Sequence, residues 1–155
     1  MNLSLRAVRP DDDDFLFALY ASTRREEIAA FGWSREQQEL FCRMQFTAQQ
    51  RWYEAAFAAA ERAMILDGGE PIGRIIVLRT PAEIRLVDIS LLPEHRGAGI
   101  GTLLIERLID EAERARLPVR LQVLNNNRAR HLYERLGFVL SGGDDVYYQM
   151  ERTPE

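Results

Sequence analysis

Between a continuous, largely apolar run, EIRLVDISLL (residues 83–92), and an amphipathic stretch that begins near Thr102 stands HRGAGIG, with glycine at 97, 99 and 101. Glycine costs roughly 1 kcal/mol against alanine inside a helix, so three of them where a helix should start need an offsetting gain. The succession of strand, glycine loop and helix restricts the fold strongly. It calls for a buried strand that ends where main-chain N–H groups converge on the positive end of a helix dipole. Such a turn cradles anions, because missing β-carbons let phosphate oxygens approach the backbone.

The rest of the chain supplies elements that fit around that unit. LSLRAV (3–8) alternates as a strand does, and RPDDDD ends it with acidic residues suited to a helix N-terminus. Asp11 to Asp14 point different ways from a helix start, which favours a cap over a metal site. The pattern is helical from Phe15 to Phe31, and Ser34 with Gln37 forms a capping box for a second helix reaching about Ala60. RAMILD, GGEP and IGRIIVLRT then read as strand, turn and strand. The run 83–92 predicts a central strand buried on both faces. A helix from about Thr102 to Arg116, the strand VRLQVL, a helix from about Asn127 to Leu136 stopped by Gly137, and closing antiparallel strands in FVLSGG and DVYYQME complete the chain. The predicted order is β-α-α-β-β-β-α-β-α-β-β. That is an α/β fold with a single mixed, mostly antiparallel sheet of six to seven strands flanked by helices, in one domain over residues 1–155.

Composition narrows the function. The formal net charge of −4 and a pI near 5.3 leave no overall positive field for nucleic acid or an anionic membrane. No apolar run has membrane-spanning length. The one cysteine, Cys42, excludes an internal disulfide and any multi-cysteine metal site and is compatible with a reducing compartment; no metal is expected, and with no secretory h-region in the sequence a cytoplasmic location is the default.

Three kinds of phosphate site could use the glycine loop. A P-loop needs lysine after its last glycine, and every one of the 20 cationic side chains is arginine. A dinucleotide fingerprint begun at Gly97 needs glycine at 102, where Thr102 stands. What remains is R-x-x-G-x-G, from Arg96, Gly99 and Gly101. One helix and one strand later comes a second pattern, formed by Asn126, Ala129, Leu132, Tyr133, Glu134, Leu136, Gly137 and Phe138. Together they resemble the GCN5-related N-acetyltransferase family, with its pyrophosphate loop [QR]-x-x-G-x-[GA] after a central strand and its signature N-x-x-A-x-x-L-Y-E-x-L-G-F. The resemblance is specific between about residues 86 and 140 and follows nearly the whole chain in element order. It implies a GNAT-like acyl-CoA acyltransferase fold, acetyl-CoA as co-substrate, and an amine acceptor that is a small molecule or a peptide.

The resemblance also implies roles. Main-chain groups of Ile89, Ser90 and Leu91 would pair with the pantetheine arm as an added strand would. Amides of Gly97, Ala98, Gly99, Ile100, Gly101 and Thr102 would meet the pyrophosphate, with Arg96 adding charge. The Asn126 amide would hold the pantetheine or cap a helix, and the Ile89 N–H would polarise the thioester carbonyl. Tyr133 matches the general acid. Some family members carry a glutamate on the fifth strand in an L-E-V context, but here Gln122 takes its place and cannot accept a proton. Asp88, in an otherwise apolar strand beside the proposed carbonyl site, is the substitute base, with Glu83 a weaker choice. His95 and His131 read as structural. Trp33, Gln45 and Gln49 are candidate walls for the acceptor. No activated nucleophile appears, so direct attack in a ternary complex is expected. Two alternatives stay open: a catalytically silent acyl-CoA-binding module, and an acetyltransferase acting on protein N-termini or side chains. Monomer and homodimer are equally compatible with the sequence.

Overall fold

A computed structural model describes every residue from Met1 to Glu155. It contains strands β1 (Leu3–Ala7), β2 (Glu61–Asp67), β3 (Glu70–Arg79), β4 (Ile84–Leu91), β5 (Val119–Leu124), β6 (Val139–Gly143) and β7 (Tyr147–Arg152). Four helices accompany them: α1 (Asp13–Ala29), α2 (Arg35–Ala56), α3 (Ile100–Ala115) and α4 (Ala129–Arg135). The strands form one mostly antiparallel sheet in the order β1-β2-β3-β4-β5-β7-β6, so β4 is its middle strand. No helix is long and apolar enough to cross a membrane.

The chain divides into two compact units, Met1–Arg74 with Ser90–His95, and Ile75–Ile89 with Arg96–Glu155. In the first, β1 and β2 pair antiparallel from Leu3 opposite Asp67 to Ala7 opposite Ala63. Leu16, Leu19, Phe46, Met64 and Leu66 form its core. Ser34 opens α2 by accepting the Gln37 N–H at 3.2 Å, while the Gln37 side chain accepts the Ser34 N–H at 3.0 Å. The capping box is therefore formed as its sequence predicts. The helix ends at Ala56, four residues short of the expected limit. Phe57 leaves helical geometry (φ −134°, ψ 52°), packs its ring 5.5 Å from Trp52 and accepts the Ala60 N–H in a turn. Aromatic packing outweighs the helix propensity of three alanines.

In the second unit, α3 buries Ile100, Leu104, Ile105, Leu108, Ile109 and Ala112 along one face. That spacing is the amphipathic stripe expected of a helix covering a sheet. Its C-terminus carries an ion pair from Glu111 to Arg79 of β3 at 2.6 Å. β5 pairs antiparallel with β7 along its whole length, from Val119 opposite Arg152 to Leu124 opposite Tyr147. On its other side β5 runs parallel to β4, but only from Ile84 opposite Val119 to Leu86 opposite Leu121. That short ladder corrects the expectation of a strand buried on both faces. Ile84 and Leu86 are buried, whereas Val87 to Leu91 are half-buried. A strand without a close neighbour on one side cannot cover its apolar residues.

Candidate active site

The separation of β4 from β5 and the start of α3 are two consecutive features of one stretch of chain. β4 continues five residues past its last pairing with β5, and Asp88, Ile89, Ser90 and Leu91 all lie on that extension. A short 3₁₀ turn, Pro93–His95, follows, and then the loop of Arg96, Gly97, Ala98 and Gly99, all exposed. Gly97 and Gly99 hold φ of 76° and 82°, in the left-handed region that side-chain-bearing residues avoid. Gly99 then serves as N-cap of α3, its carbonyl accepting the Leu103 N–H at 3.0 Å.

No side chain caps this helix. The N–H groups of its first turn have no intrahelical partner and sit at the positive end of the dipole. Gly101 lies within that first turn at an ordinary helical φ, and a β-carbon there would meet no atom of the chain within 4 Å. Neither backbone conformation nor a neighbouring residue accounts for a glycine at this point. The space in front of it is the kind of cradle that close approach of a phosphate would fill. Ile100 points the other way, into the core, and Thr102 is half-buried.

Tyr133 stands in the last turn of α4 with only 8% of its surface exposed, its ring 5.7 Å from that of Phe138. Burial, and secondarily the negative charge of Asp88, push the phenol's pKa up to about 12. The charge of Asp88 on β4 is thus felt at the phenol of Tyr133 on α4, two residues singled out in the sequence. Glu83, the weaker candidate base, is engaged instead: it pairs with Arg85 at 3.1 Å and Arg120 at 3.8 Å. Gln122 is exposed on β5, opposite Gln149 of β7. Cys42 is buried in the first unit, and burial raises its thiol pKa, which suppresses the thiolate a nucleophile would need.

The three asparagines after β5 divide their work in a way the repeated NNN pattern conceals. Asn127, not Asn126, caps α4, its Oδ1 accepting the Ala129 N–H at 2.8 Å. Asn126 is exposed. Asn125 donates from its side-chain amide to the Asp144 carbonyl at 3.1 Å and from its main chain to the Val146 carbonyl at 2.9 Å. Its own Oδ1 is buried and receives no hydrogen bond within the chain. A buried acceptor without a donor is costly, and sequence reasoning gave no reason to prefer this asparagine over its neighbours.

In the first unit Trp33 joins an aromatic cluster with Phe31 and Phe41 at centroid distances of 4.9 and 5.1 Å. Gln45 and Gln49 are half-buried on α2, and the Gln49 Oε1 is buried without a donor. A residue passed over in the sequence lies nearby: Arg74 of β3 is 5% exposed, donates to Gln50 at 2.9 Å and lies 5.6 Å from the Tyr53 ring centre. An arginine inside the apolar run IGRIIVL was the available signal.

A family model described as acetyltransferase (GNAT) family matches residues 11–138. A [ribosomal protein bS18]-alanine N-acetyltransferase from Haemophilus influenzae is 35% identical over 75 residues, 48% of this chain and 51% of that protein. A streptothricin acetyltransferase from Streptomyces lavendulae is 41% identical over 68 residues, 43% of this chain and 36% of that protein. The aligned part thus spans about half the length of the first relative and about a third of the second. Among solved structures, the PaiA N-acetyltransferase of Thermoplasma acidophilum in complex with coenzyme A superposes with a TM-score of 0.70 at 21% identity, covering 99% of both chains. At that identity the likeness is one of fold.

Proposed function

The chain belongs to the GNAT acetyltransferase family, and from that premise we propose that it is an acyl-CoA-dependent N-acyltransferase that moves acetyl from acetyl-CoA to a primary amine by direct attack in a ternary complex. The observation that carries this reading is Gly101: a helix-weakening residue in the first turn of α3, with open space before it and no partner in the chain that requires it. A diphosphate bound to the N–H groups of residues 97–102 gives that glycine a purpose.

In this reading Ile89, Ser90 and Leu91 receive the pantetheine arm along β4, beyond the point where β5 diverges. Arg96 adds charge near a phosphate. Of the asparagines, Asn126 is the one placed by the family motif, and Asn125 offers the buried acceptor that an amide N–H of the arm would satisfy.

Acetyl-CoA supplies the thioester acyl group. The Ile89 N–H donates to its carbonyl oxygen, where negative charge develops. Asp88 draws the acceptor's ammonium and takes a proton from it through water, leaving the neutral amine to attack. As the C–N bond forms and the C–S bond breaks, the electron pair of the latter departs on sulfur, and the attacking nitrogen gives up its surplus proton to solvent to leave the neutral amide. Tyr133 meets that charge. A phenol near pKa 12 keeps its proton at every working pH. Full transfer to an alkyl thiolate of ordinary pKa about 8.5 would run uphill by about 5 kcal/mol. The phenol therefore acts chiefly as a hydrogen-bond donor to the leaving sulfur, and solvent completes the protonation.

A calorimetric titration with acetyl-CoA, followed by a screen of amines and short peptides for thiol release, tests the proposal. Saturable binding with thiol release on at least one amine supports it. Binding without turnover on any acceptor would favour a silent acyl-CoA-binding module. Absence of binding by the folded protein would overturn both.

A further inference from the structure

We propose, resting on the acyltransferase reading, that Arg152 is a positioning residue for Tyr133: from β7 its guanidinium ties the C-terminal end of α4 to Glu113 of α3 and so fixes where the phenol stands. The argument starts from the length of α4. Seven residues are too few for a helix to hold itself in water. Its two ends must be secured from outside. At the start, Asn127 accepts the Ala129 N–H. At the finish, the unpaired carbonyls of the last turn need donors, and the Arg152 Nε donates to the Leu136 carbonyl at 3.0 Å.

The other arm of the same guanidinium is held firmly. Its Nη1 donates to the Glu113 Oε1 at 2.6 Å, and that carboxylate also accepts the main-chain N–H of Glu155 at 3.2 Å. The hydrogen bond from Arg152 is the first reason that the Glu113 pKa lies below its ordinary value. The arginine side chain is only 16% exposed, so its two arms have settled partners rather than water. Gly137 makes room for it. At φ 94° this residue turns the chain out of α4, and a β-carbon there would stand 3.1 Å from the Arg152 Nε.

Tyr133 belongs to the same closure. Its carbonyl accepts the N–H groups of Leu136 at 3.1 Å and Phe138 at 3.0 Å, next to the carbonyl that Arg152 holds. A shift of α4 is magnified at the hydroxyl, which lies at the far end of the side chain. Misplacement by about 1 Å at a reacting centre can cost about 10²-fold in rate.

The test compares Arg152→Gln, Arg152→Lys and Glu113→Gln with the unmodified protein. The readouts are kcat, KM for acetyl-CoA, thermal unfolding, and the ultraviolet titration of Tyr133 obtained by difference from Tyr133→Phe. Folded Arg152→Gln is expected to lose at least about 10-fold in kcat with KM for acetyl-CoA changed by less than about twofold. Its phenol should titrate below about 12, shifted towards the ordinary value of 10.0 as its burial loosens. Arg152→Lys should recover part of the loss. Glu113→Gln should show a smaller loss, and adding it to Arg152→Gln should cost little more, because the two act through one chain of contacts. Wild-type kcat and titration in a folded Arg152→Gln protein would overturn the proposal, as would a loss confined to KM. If Arg152→Gln does not fold, the other two variants decide by the same criteria. If the unmodified protein releases no thiol, the acyltransferase reading falls on its own, while the Tyr133 titration still answers for Arg152.

Discussion

Gly73 of β3 lies so close beneath Ser90 of β4 that a β-carbon placed on it would come within 2.3 Å of the Ser90 carbonyl oxygen and 3.2 Å of the Leu91 α-carbon. Both obstacles are backbone, which cannot swing aside as the end of a side chain can. The next pairing along these strands, the Leu92 N–H on the Ile72 carbonyl at 2.9 Å, ties the same region together. Gly73→Ala is therefore expected to push the end of β4 away at a cost of about 1–3 kcal/mol. A lowered melting temperature together with weaker acetyl-CoA binding, followed by calorimetry, is the expected pair of results, since Ser90 and Leu91 are candidate contacts for the pantetheine arm. Unchanged affinity would remove those two residues from the site.

Gly101 reverses that relationship. Nothing in the chain lies within 4 Å of where its β-carbon would be, and its backbone is already helical. Gly101→Val should leave thermal stability unchanged to within about 0.5 kcal/mol, since valine is a slightly better helix former than glycine. Affinity for acetyl-CoA, measured by calorimetry, should nonetheless fall at least about 10-fold, because close backbone approach at a helix start is lost. A variant that keeps both stability and affinity would show that the loop does not hold the diphosphate.

The buried phenol of Tyr133 gives three separable predictions. Its phenol is protonated below its ordinary 10.0 and remains so up to about 12, so its ionisation produces no fall in kcat on the alkaline side until pH approaches 12. Any rise of rate with pH below that belongs to the acceptor amine or a base. Tyr133→Phe removes the donor and should lower kcat about 10²-fold or more while leaving KM for acetyl-CoA nearly unchanged. Asp88→Asn should bring the phenol's titration down only part of the way towards 10.0, because burial is the larger cause and Asp88 the smaller. A full return to 10.0 in that variant would reverse this ranking.

How much of this was legible in the sequence depended on whether the physical cause was local. Ser34 and Gln37 are three residues apart and cap α2 through each other, so the pattern alone was sufficient. The glycine loop was readable in its place but not at its edge: the helix was expected from about Thr102, whereas it starts at Ile100 and takes Gly101 into its first turn. Arg152 was invisible. Its partners, Leu136 and Glu113, lie 16 and 39 positions away, and nothing in YYQMER marks one arginine as the clasp of another helix. Asn125, Asn126 and Asn127 have nearly the same neighbours, so composition could not tell which would cap α4 and which would bury an acceptor. The half-exposure of Val87 to Leu91 has a similar origin, because the apolar run reports the residues' hydrophobicity and not the divergence of the strand beside them.

Asp12 gives a prediction about acid stability that does not involve the active site. Its carboxylate is 6% exposed and accepts both terminal nitrogens of Arg6, at 2.8 and 2.7 Å, and the Arg9 N–H at 2.7 Å. The hydrogen bond from Arg6 is the first of the causes that hold its pKa at about 2, against an ordinary value of 3.8. Because the folded state lowers this pKa, the stabilisation is fully present above pH 3.8 and is lost as pH falls through about 2. Asp12→Asn should therefore cost about 1.5–3 kcal/mol near neutral pH, as expected for hydrogen bonds to a charged group with little access to water. The deficit should shrink between pH 3.8 and about 2, where the native carboxylate is itself being protonated. Urea unfolding of both proteins at several pH values measures this directly. A deficit that stays constant down to pH 2 would mean that the loss comes from packing around the 3₁₀ turn Pro10–Asp12 and not from the charge on Asp12.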